Sequence, residues 1–593
     1  MEDPAQPTTS TLIHLGLHDL DKARVRLDRL ARLVDDQALA QTLVQSLDQA
    51  CDPDEALAGL TRILEQYPQG ARPDFLAGSP QENQKGAQSL IRVLGASEAM
   101  GRLMRSRPEL AEAAAIDPDH LADCSAETRQ RRILDALDKV EKNSESSPSL
   151  AAYADALRFE YRLQLAAVMA RDLAAEDPLE LEPAISRALS DMADAALQGA
   201  LSIACRQVPN ADSCRLTVIG MGKLGAQELN YVSDVDLMYL VEPASGADPN
   251  GTDLIAVGTA MAVLLQRVCQ AVIPGSTEPP LWKVDTALRP EGRDGPLVRR
   301  LASYADYYAK WAENWEFQAL LKARPVAGDK ALGQDYSAMV EPLVWGACQR
   351  PNFVYDCQRM RQRVERLIPE DRKEREIKLG QGGLRDVEFT VQMLQLVHGS
   401  SDPDLRCPAT LDALQALSRG GYISRKHGDQ LDHDYRFERV MEHRLQMWQL
   451  RRTHLFPKIT RSGTLGQRPP SLEELESNRD LRRLARAFDL HADQMLAQYQ
   501  ATRIEVRNLH QAIYFRPMLP INAQVDEDEV SLRPQAARAR FASIGFADPD
   551  AAIRHVTALT TGVTRSARIN RILMPAVLQW LGEGQDPDMG LLG

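Results

Sequence analysis

Residues Gly220 to Asp236, read as GMGKLGAQELNYVSDVD, constrain this chain more than any other stretch. The segment before them, Leu216-Thr217-Val218-Ile219, has strand composition, and so does the run from Val235 to Val241 that follows. A glycine-rich turn therefore sits between two strands, a short way ahead of two aspartates, Asp234 and Asp236, separated by one residue. Side chains alternate faces along a strand, so both carboxylates point the same way from the start of the second strand. Neighbouring carboxylates repel each other unless a cation stands between them. Hard, oxygen-preferring Mg²⁺ is the natural occupant, held by one or two carboxylates plus substrate phosphates. The pattern suits an enzyme that grips a nucleotide's phosphates on backbone N–H groups and holds divalent metal on its acids.

Gly220, Gly222 and Gly225 also spell the G-x-G-x-x-G dinucleotide fingerprint. That fingerprint requires a full helix and then a second strand with an acid at its far end. Here only Gly225 to Val232 separates the glycines from the next strand, and the acids stand at that strand's start. A glycine turn beside surface aspartates is the structural alternative. It leaves unpaired charges at the mouth of an apolar strand, which costs stability.

A third carboxylate comes from the strand-like run Trp282 to Pro290, with Lys283 and Asp285 on one face, followed by the loop signal Glu291-Gly292-Arg293-Asp294-Gly295-Pro296. Three acids from two neighbouring strands can bind two metals that clamp the attacking and leaving oxygens of an in-line phosphoryl displacement. Arg289, Arg293 and Lys223 are nearby cations able to balance phosphate charge. Arg289 either contacts phosphate or pairs with Asp285 or a strand end.

Glycine turn, short helix and acid-x-acid on a strand together resemble the nucleotidyltransferase superfamily that includes DNA polymerase beta. More closely, the chain resembles the glutamine synthetase adenylyltransferase/adenylyl-removing family. The matching segments are GMGKLGAQELNYVSDVDL, VDTALRPEGRDGPLV, WAENWEFQALLKARPVAGD, IKLGQGGLRDVEF and YRFERVMEHRLQ, in family order. The resemblance implies an α+β, mostly helical fold: a polymerase-beta-like nucleotidyltransferase domain with a small mixed sheet, flanked by helical domains. The expected division is an N-terminal helical region at 1–205, a catalytic domain at 206–330, a helical bundle at 331–520, and a linker with the start of a regulatory connector at 521–593.

Members of the family carry two such catalytic copies, and this sequence has one. Three features favour the first, adenylyl-removing copy: the helix-rich segment ahead of the motif, the wording ELN-x-x-SD-x-D from Glu228 to Asp236, and a connector-like tail from Ala558. The chain is expected to be one catalytic half of a longer enzyme. The resemblance implies phosphorolysis, in which phosphate attacks the AMP phosphorus of adenylyl-tyrosine on glutamine synthetase and releases ADP. Asp234, Asp236 and Asp285 are assigned to Mg²⁺, or Mn²⁺. Phosphate and ADP or ATP fall to Gly220, Gly222, Lys223, Ser233 and Arg289. The acids serve the forward reaction from ATP equally well, and a regulatory module docking the synthetase without chemistry is the alternative of another class. The expected partners are adenylylated glutamine synthetase and a PII signal protein.

Charge supports this reading. With a net charge of −13 and a pI of about 5.5, the chain offers no basic path for a nucleic acid, so a protein or small-molecule substrate is expected. Eight cysteines without a C-x-x-C point to neither a zinc knuckle nor a disulfide framework. No run of 18 apolar residues and no signal-like N-terminus occur, so a cytoplasmic protein without membrane spans is expected.

Most of the remaining sequence reads as helix. Leu157, Tyr161, Leu165 and Val168 form an apolar stripe, Leu90, Val93 and Leu94 precede a helix stop at Gly95, and Asp253 to Ile273 is expected to pack on the sheet. Asp306 to Arg324 is expected as a single helix whose Tyr307, Trp311 and Trp315 pack between domains or stack on adenine. Gly380, Gly382 and Gly383 make a turn before a helix from Leu384 to Val397, with Lys378, Arg385, Asp386 and Glu388 around it. The resemblance places this element at the border of the active-site cleft. Glu388 is a late metal or substrate contact, or a helix salt bridge. Arg439 and Glu442 pair at i, i+3, while His443 and His454 lack metal-ligand spacing. The acidic run Asp526 to Glu529 reads as a solvated linker or a docking site.

Overall fold

In the computed structural model, β1 (Cys214–Gly220) and β2 (Val235–Pro243) run antiparallel, with Gly220 opposite Leu237 and Cys214 opposite Pro243. The model describes residues 7–34, 36–67, 73, 76, 80–115, 124–144, 147–246, 253–459, 470–514 and 548–561. Two very short strands, β3 (Val284–Asp285) and β4 (Val298–Arg299), pair parallel with β2, and β5 (Arg324–Gly328) pairs antiparallel with β1. The result is a mixed five-stranded sheet ordered β3-β2-β1-β5, with β4 also on β2.

Both central strands are apolar almost throughout because helices cover the two faces of the sheet. The Leu254–Gln270 helix lays Gly258 against Val241 and Val298, where an added Cβ would stand 3.2 Å from either. The Lys330–Trp345 helix lays Gly333 against Pro325 and Thr217. Val241 pairs with Leu216, the neighbour of Thr217, so alternation puts these two helices on opposite faces.

The predicted stripe of Leu157, Tyr161, Leu165 and Val168 is buried along the Leu150–Leu173 helix. It belongs to one continuous apolar core that runs from the N-terminal helices into β1 and β2. The 30-residue Pro178–Gln207 helix lies in that core, started by Asp177 as cap and Pro178 in its first turn. A second core gathers Ile377, Phe437, Met441, Phe456 and Tyr499. The helix ahead of Gly95 runs on to Ala96, where Ser97 caps the next one.

Asp306 to Arg324 is not one helix. The Leu301–Lys310 helix stops at Trp311, a new helix spans Asn314–Leu320, and Arg324 already begins β5. The cause is a capping box: Glu313 accepts from the Glu316 amide while the Glu316 carboxylate accepts from the Glu313 amide, which starts a helix afresh. The aromatic row is broken with it, and Trp311 is 74% exposed.

The chain separates into two compact units, Met1–His510 and Gln511–Gly593. The sequence boundaries at 205 and 330 both fall inside the first. In the second, Asp548 caps the Pro549–Thr560 helix. The acidic run at Asp526 to Glu529 and the tail beyond Thr561 lie outside the described residues. No described helix is long and apolar enough to cross a membrane.

Candidate active site

Parallel pairing of β2 with β3 sets Asp236 directly beside Asp285, and Val235 N–H donates to the Lys283 carbonyl at 2.9 Å. Asp234 lies two residues before Asp236, so the three predicted acids come together at the open end of the two strands. Burial, then the charges of Asp285 and Asp234, push the Asp236 carboxyl up to about 6, against the pull of Lys378 and Arg385. The donors are all hard oxygens, as Mg²⁺ or Mn²⁺ requires. Among the described residues no three acid, histidine or cysteine side chains are already drawn into a finished cation cage. Two of the acids are turned toward other groups: Asp234 pairs with Arg452, and Asp285 accepts from the Ala287 amide at 2.9 Å with Arg293 3.9 Å away.

The glycine turn abuts these acids. Gly222 has φ +54°, a conformation that suits glycine, and an added Cβ would stand 3.1 Å from Asp236 Oδ2. Met221 N–H donates to the Asp236 carbonyl at 2.9 Å, which joins turn and acid. After Gly222 the chain makes one four-residue helix, Gly222–Gly225, before β2, so the turn is followed by no dinucleotide-type helix. Gly220 is the last residue of β1, packed against Val326 and Leu224.

Three other expected contacts are engaged elsewhere. Ser233 donates its hydroxyl to the Asp234 carbonyl at 2.9 Å. Arg289 closes its own loop, its guanidinium donating to the carbonyls of Thr286, Arg293 and Gly295. Lys223 turns inward, its Nζ 2.6 Å from Glu442 Oε2, and burial pulls its ammonium down to about 7. A guanidinium saturated by carbonyls and an ammonium buried on a carboxylate hold the turn and the loop in shape.

Glu442, expected only as a partner of Arg439, is a junction. It is fully buried and receives Lys223, Arg439 Nη1 at 2.8 Å and His454 Nδ1 at 2.9 Å. Burial would raise its pKa, but Lys223, His454 and Arg439 hold it well below the usual carboxylate range. Arg439 in turn reaches Glu182 at 3.0 Å, Ser186 at 2.8 Å and the Glu228 carbonyl at 2.7 Å. Glu228, from the ELN wording, accepts from Lys322 Nζ and the Thr410 amide, each at 2.6 Å.

The predicted Gly380–Gly383 turn precedes the Leu384–His398 helix, and Lys378 and Arg385 on either side of the turn lie near enough to lower the Asp236 carboxyl. Asp386 pins the turn, accepting from the Gly382 amide and from Arg361 Nε, each at 2.7 Å. Glu388 is buried and pairs with Arg385 at 3.3 Å. Burial would raise it, yet Arg385, Lys322, Lys223 and Lys378 hold it at about 2. Its Oε2 makes the helix salt bridge, while among the described residues its Oε1 is buried without a hydrogen bond. Arg452 escaped the sequence reading altogether; its one signal is the basic pair Arg451-Arg452 just past a long helix.

Residues 87–339 match the family described as glutamate-ammonia ligase adenylyltransferase, and residues 358–514 match the one described as GlnD PII-uridylyltransferase. A bifunctional glutamine synthetase adenylyltransferase/adenylyl-removing enzyme of Bifidobacterium longum is 56% identical over 594 residues, covering 99% of this chain and 55% of that one. Enzymes of the same name from Streptomyces avermitilis and Cutibacterium acnes are 43% and 41% identical, covering 99% and 100% of this chain and 55% and 57% of theirs. The chain is therefore a homologue, along essentially its whole length, of bifunctional glutamine synthetase adenylyltransferase/adenylyl-removing enzymes, and it spans about half the length of those curated relatives.

Proposed function

We propose that this chain is an adenylyl-removing nucleotidyltransferase with a polymerase-beta-like catalytic domain, acting on adenylylated glutamine synthetase. The observation that carries the reading is the register of Asp236 beside Asp285, with Asp234 two residues away and Gly222 against the Asp236 carboxylate. Mg²⁺ or Mn²⁺ held by Asp234, Asp236 and Asp285 would supply charge neutralisation for two phosphate groups that otherwise repel. The sheet keeps the three carboxylates aligned, the glycine turn brings backbone N–H groups to the same edge, and the inward Lys223–Glu442 pair fixes that turn. The removing direction is supported by the ELN-x-x-SD-x-D wording and by the helical region ahead of the motif. A PII signal protein is a further candidate partner, on the likeness of residues 358–514 to a PII-uridylyltransferase family.

The decisive assay is nucleotide release from adenylylated glutamine synthetase with Mg²⁺, with and without phosphate. ADP formed only with phosphate is the expected result. AMP transfer from ATP to unmodified synthetase, with no release, would reverse the direction. Asp234→Asn and Asp236→Asn are each expected to lower turnover at least about 100-fold while circular dichroism stays unchanged. Normal folding with more than roughly a few per cent of activity would remove that residue from the metal site.

A further inference from the structure

Three basic side chains are brought together opposite the acids by a contact between distant segments. Glu376 forms a β-bridge with Leu455, Ile377 N–H donates to the His454 carbonyl at 2.9 Å, and Phe456 N–H donates to the Arg375 carbonyl at 2.8 Å. This pairing sets Lys378 near Arg452. The glycine turn then folds back, and Arg385 N–H donates to the Lys378 carbonyl at 2.9 Å, which brings Arg385 to the same place. Arg452 reaches across to the Asp234 carboxylate with its side chain 53% exposed. Arg385 lies beside Glu388 and over the Phe389 ring.

Among the described residues the Lys378 ammonium makes no hydrogen bond or ion pair. Burial, then the nearby cations Arg385 and Arg452, lower its pKa, against the carboxylates of Glu442 and Glu388, which favour its charge. The nearby carboxylates have other partners: Glu442 holds Lys223, Arg439 and His454, and Glu388 holds Arg385 through Oε2. Arg452 and Arg385 each keep one carboxylate, on Asp234 and Glu388, and the Lys378 ammonium between them has donors left for a further anion. Of the other cations near the acids, Lys223 is turned inward, Arg289 is saturated by its own loop, and Arg293 stands on the acid side, 3.9 Å from Asp285.

We infer that Lys378, Arg385 and Arg452 form a binding site for an inorganic phosphate oxyanion, across the cleft from the acids and separate from the glycine turn. That this anion is the attacking acceptor rests on the function proposed above; the anion site itself does not. In that role one phosphate oxygen bonds to the AMP phosphorus as the bond from phosphorus to the tyrosine oxygen breaks. The tyrosine oxygen leaves with the electron pair and takes up the proton that hydrogen phosphate gives up, so the products are ADP and tyrosine. Cations on the far wall place the nucleophile in line with its leaving group, which the acids alone cannot do.

The test pairs equilibrium binding with kinetics on the whole chain. Calorimetric titration with inorganic phosphate should show binding that weakens about tenfold or more in Lys378→Gln and in Arg452→Gln. Arg452→Lys should recover part of it, which also checks that the fold survives. In phosphorolysis of adenylylated glutamine synthetase, the same variants should raise KM for phosphate by a similar factor and leave KM for the synthetase unchanged. Phosphate binding that depends on both residues, without any ADP formation, would support the anion site and sink the deadenylylation reading. Phosphorolysis with an unchanged KM for phosphate in both variants would sink the site and leave that reading intact. A faster Arg452→Gln enzyme at low phosphate would also overturn the proposal, because it would make Arg452 a plug on Asp234 instead of a phosphate ligand.

Discussion

Asp434 is almost fully buried in the Arg425–Met447 helix, where its carboxylate accepts from Gln430 Nε2 at 3.1 Å. Burial carries its pKa from 3.8 up to about 7. Between those values the folded state keeps a proton that the unfolded chain has lost, so stability falls as pH rises through that window. The loss amounts to about 4 kcal/mol above pH 7. Asp434→Asn should therefore raise the urea midpoint at pH 8, with the gain shrinking toward pH 4.5; equal midpoints at pH 8 would show that the carboxyl is solvated. At this scale the sequence was most legible where the argument was local. Asp234, Asp236 and Asp285 follow from strand alternation and short spacing. Arg452 and the junction role of Glu442 do not, because each meets partners from segments more than 200 residues away.

The turn before the Leu384–His398 helix is the element on which the cationic wall depends. Gly382 has φ +69°, and an added Cβ would stand 1.8 Å from the Arg503 carbonyl oxygen, which cannot give way without moving backbone. Gly382→Ala is expected to cost about 2–4 kcal/mol, read by urea denaturation; a cost below about 1 kcal/mol would mean that the turn relaxes freely. Elements were legible where one period governed them, as in this helix, expected to end at Val397 and ending at His398. The helix expected from Asp306 failed because the aromatic spacing carries across the break. The Glu313–Glu316 box, an E-x-x-E signal, was the local feature that outweighed it.

Across the first compact unit, one guanidinium joins regions that the sequence divides. Arg439 lies at 0% exposure and touches Glu182 from the N-terminal helices, the Glu228 carbonyl beside the glycine turn, and Glu442 of its own helix. Arg439→Met would leave two buried carboxylates short of a partner, at about 3–5 kcal/mol. Hydrogen exchange should then show protection falling together in the Pro178–Gln207 and Arg425–Met447 helices. A drop confined to one helix would mean that these regions open independently. Such coupling was invisible to a reading that placed boundaries by composition and motif, because it resides in contacts between segments and not within any of them.

The hydrogen bond from the Met221 amide to the Asp236 carbonyl has an evolutionary consequence. It makes the glycine turn and the acid strand a single inherited part, in which neither half can be retuned without disturbing the other. The opposing wall meets that part through a side chain instead, Arg452 on the Asp234 carboxylate. On the function proposed above, exchanges at Lys378 or Arg385 would alter the choice of nucleophile in descendants of such a chain, while the turn and the acid strand pass down together.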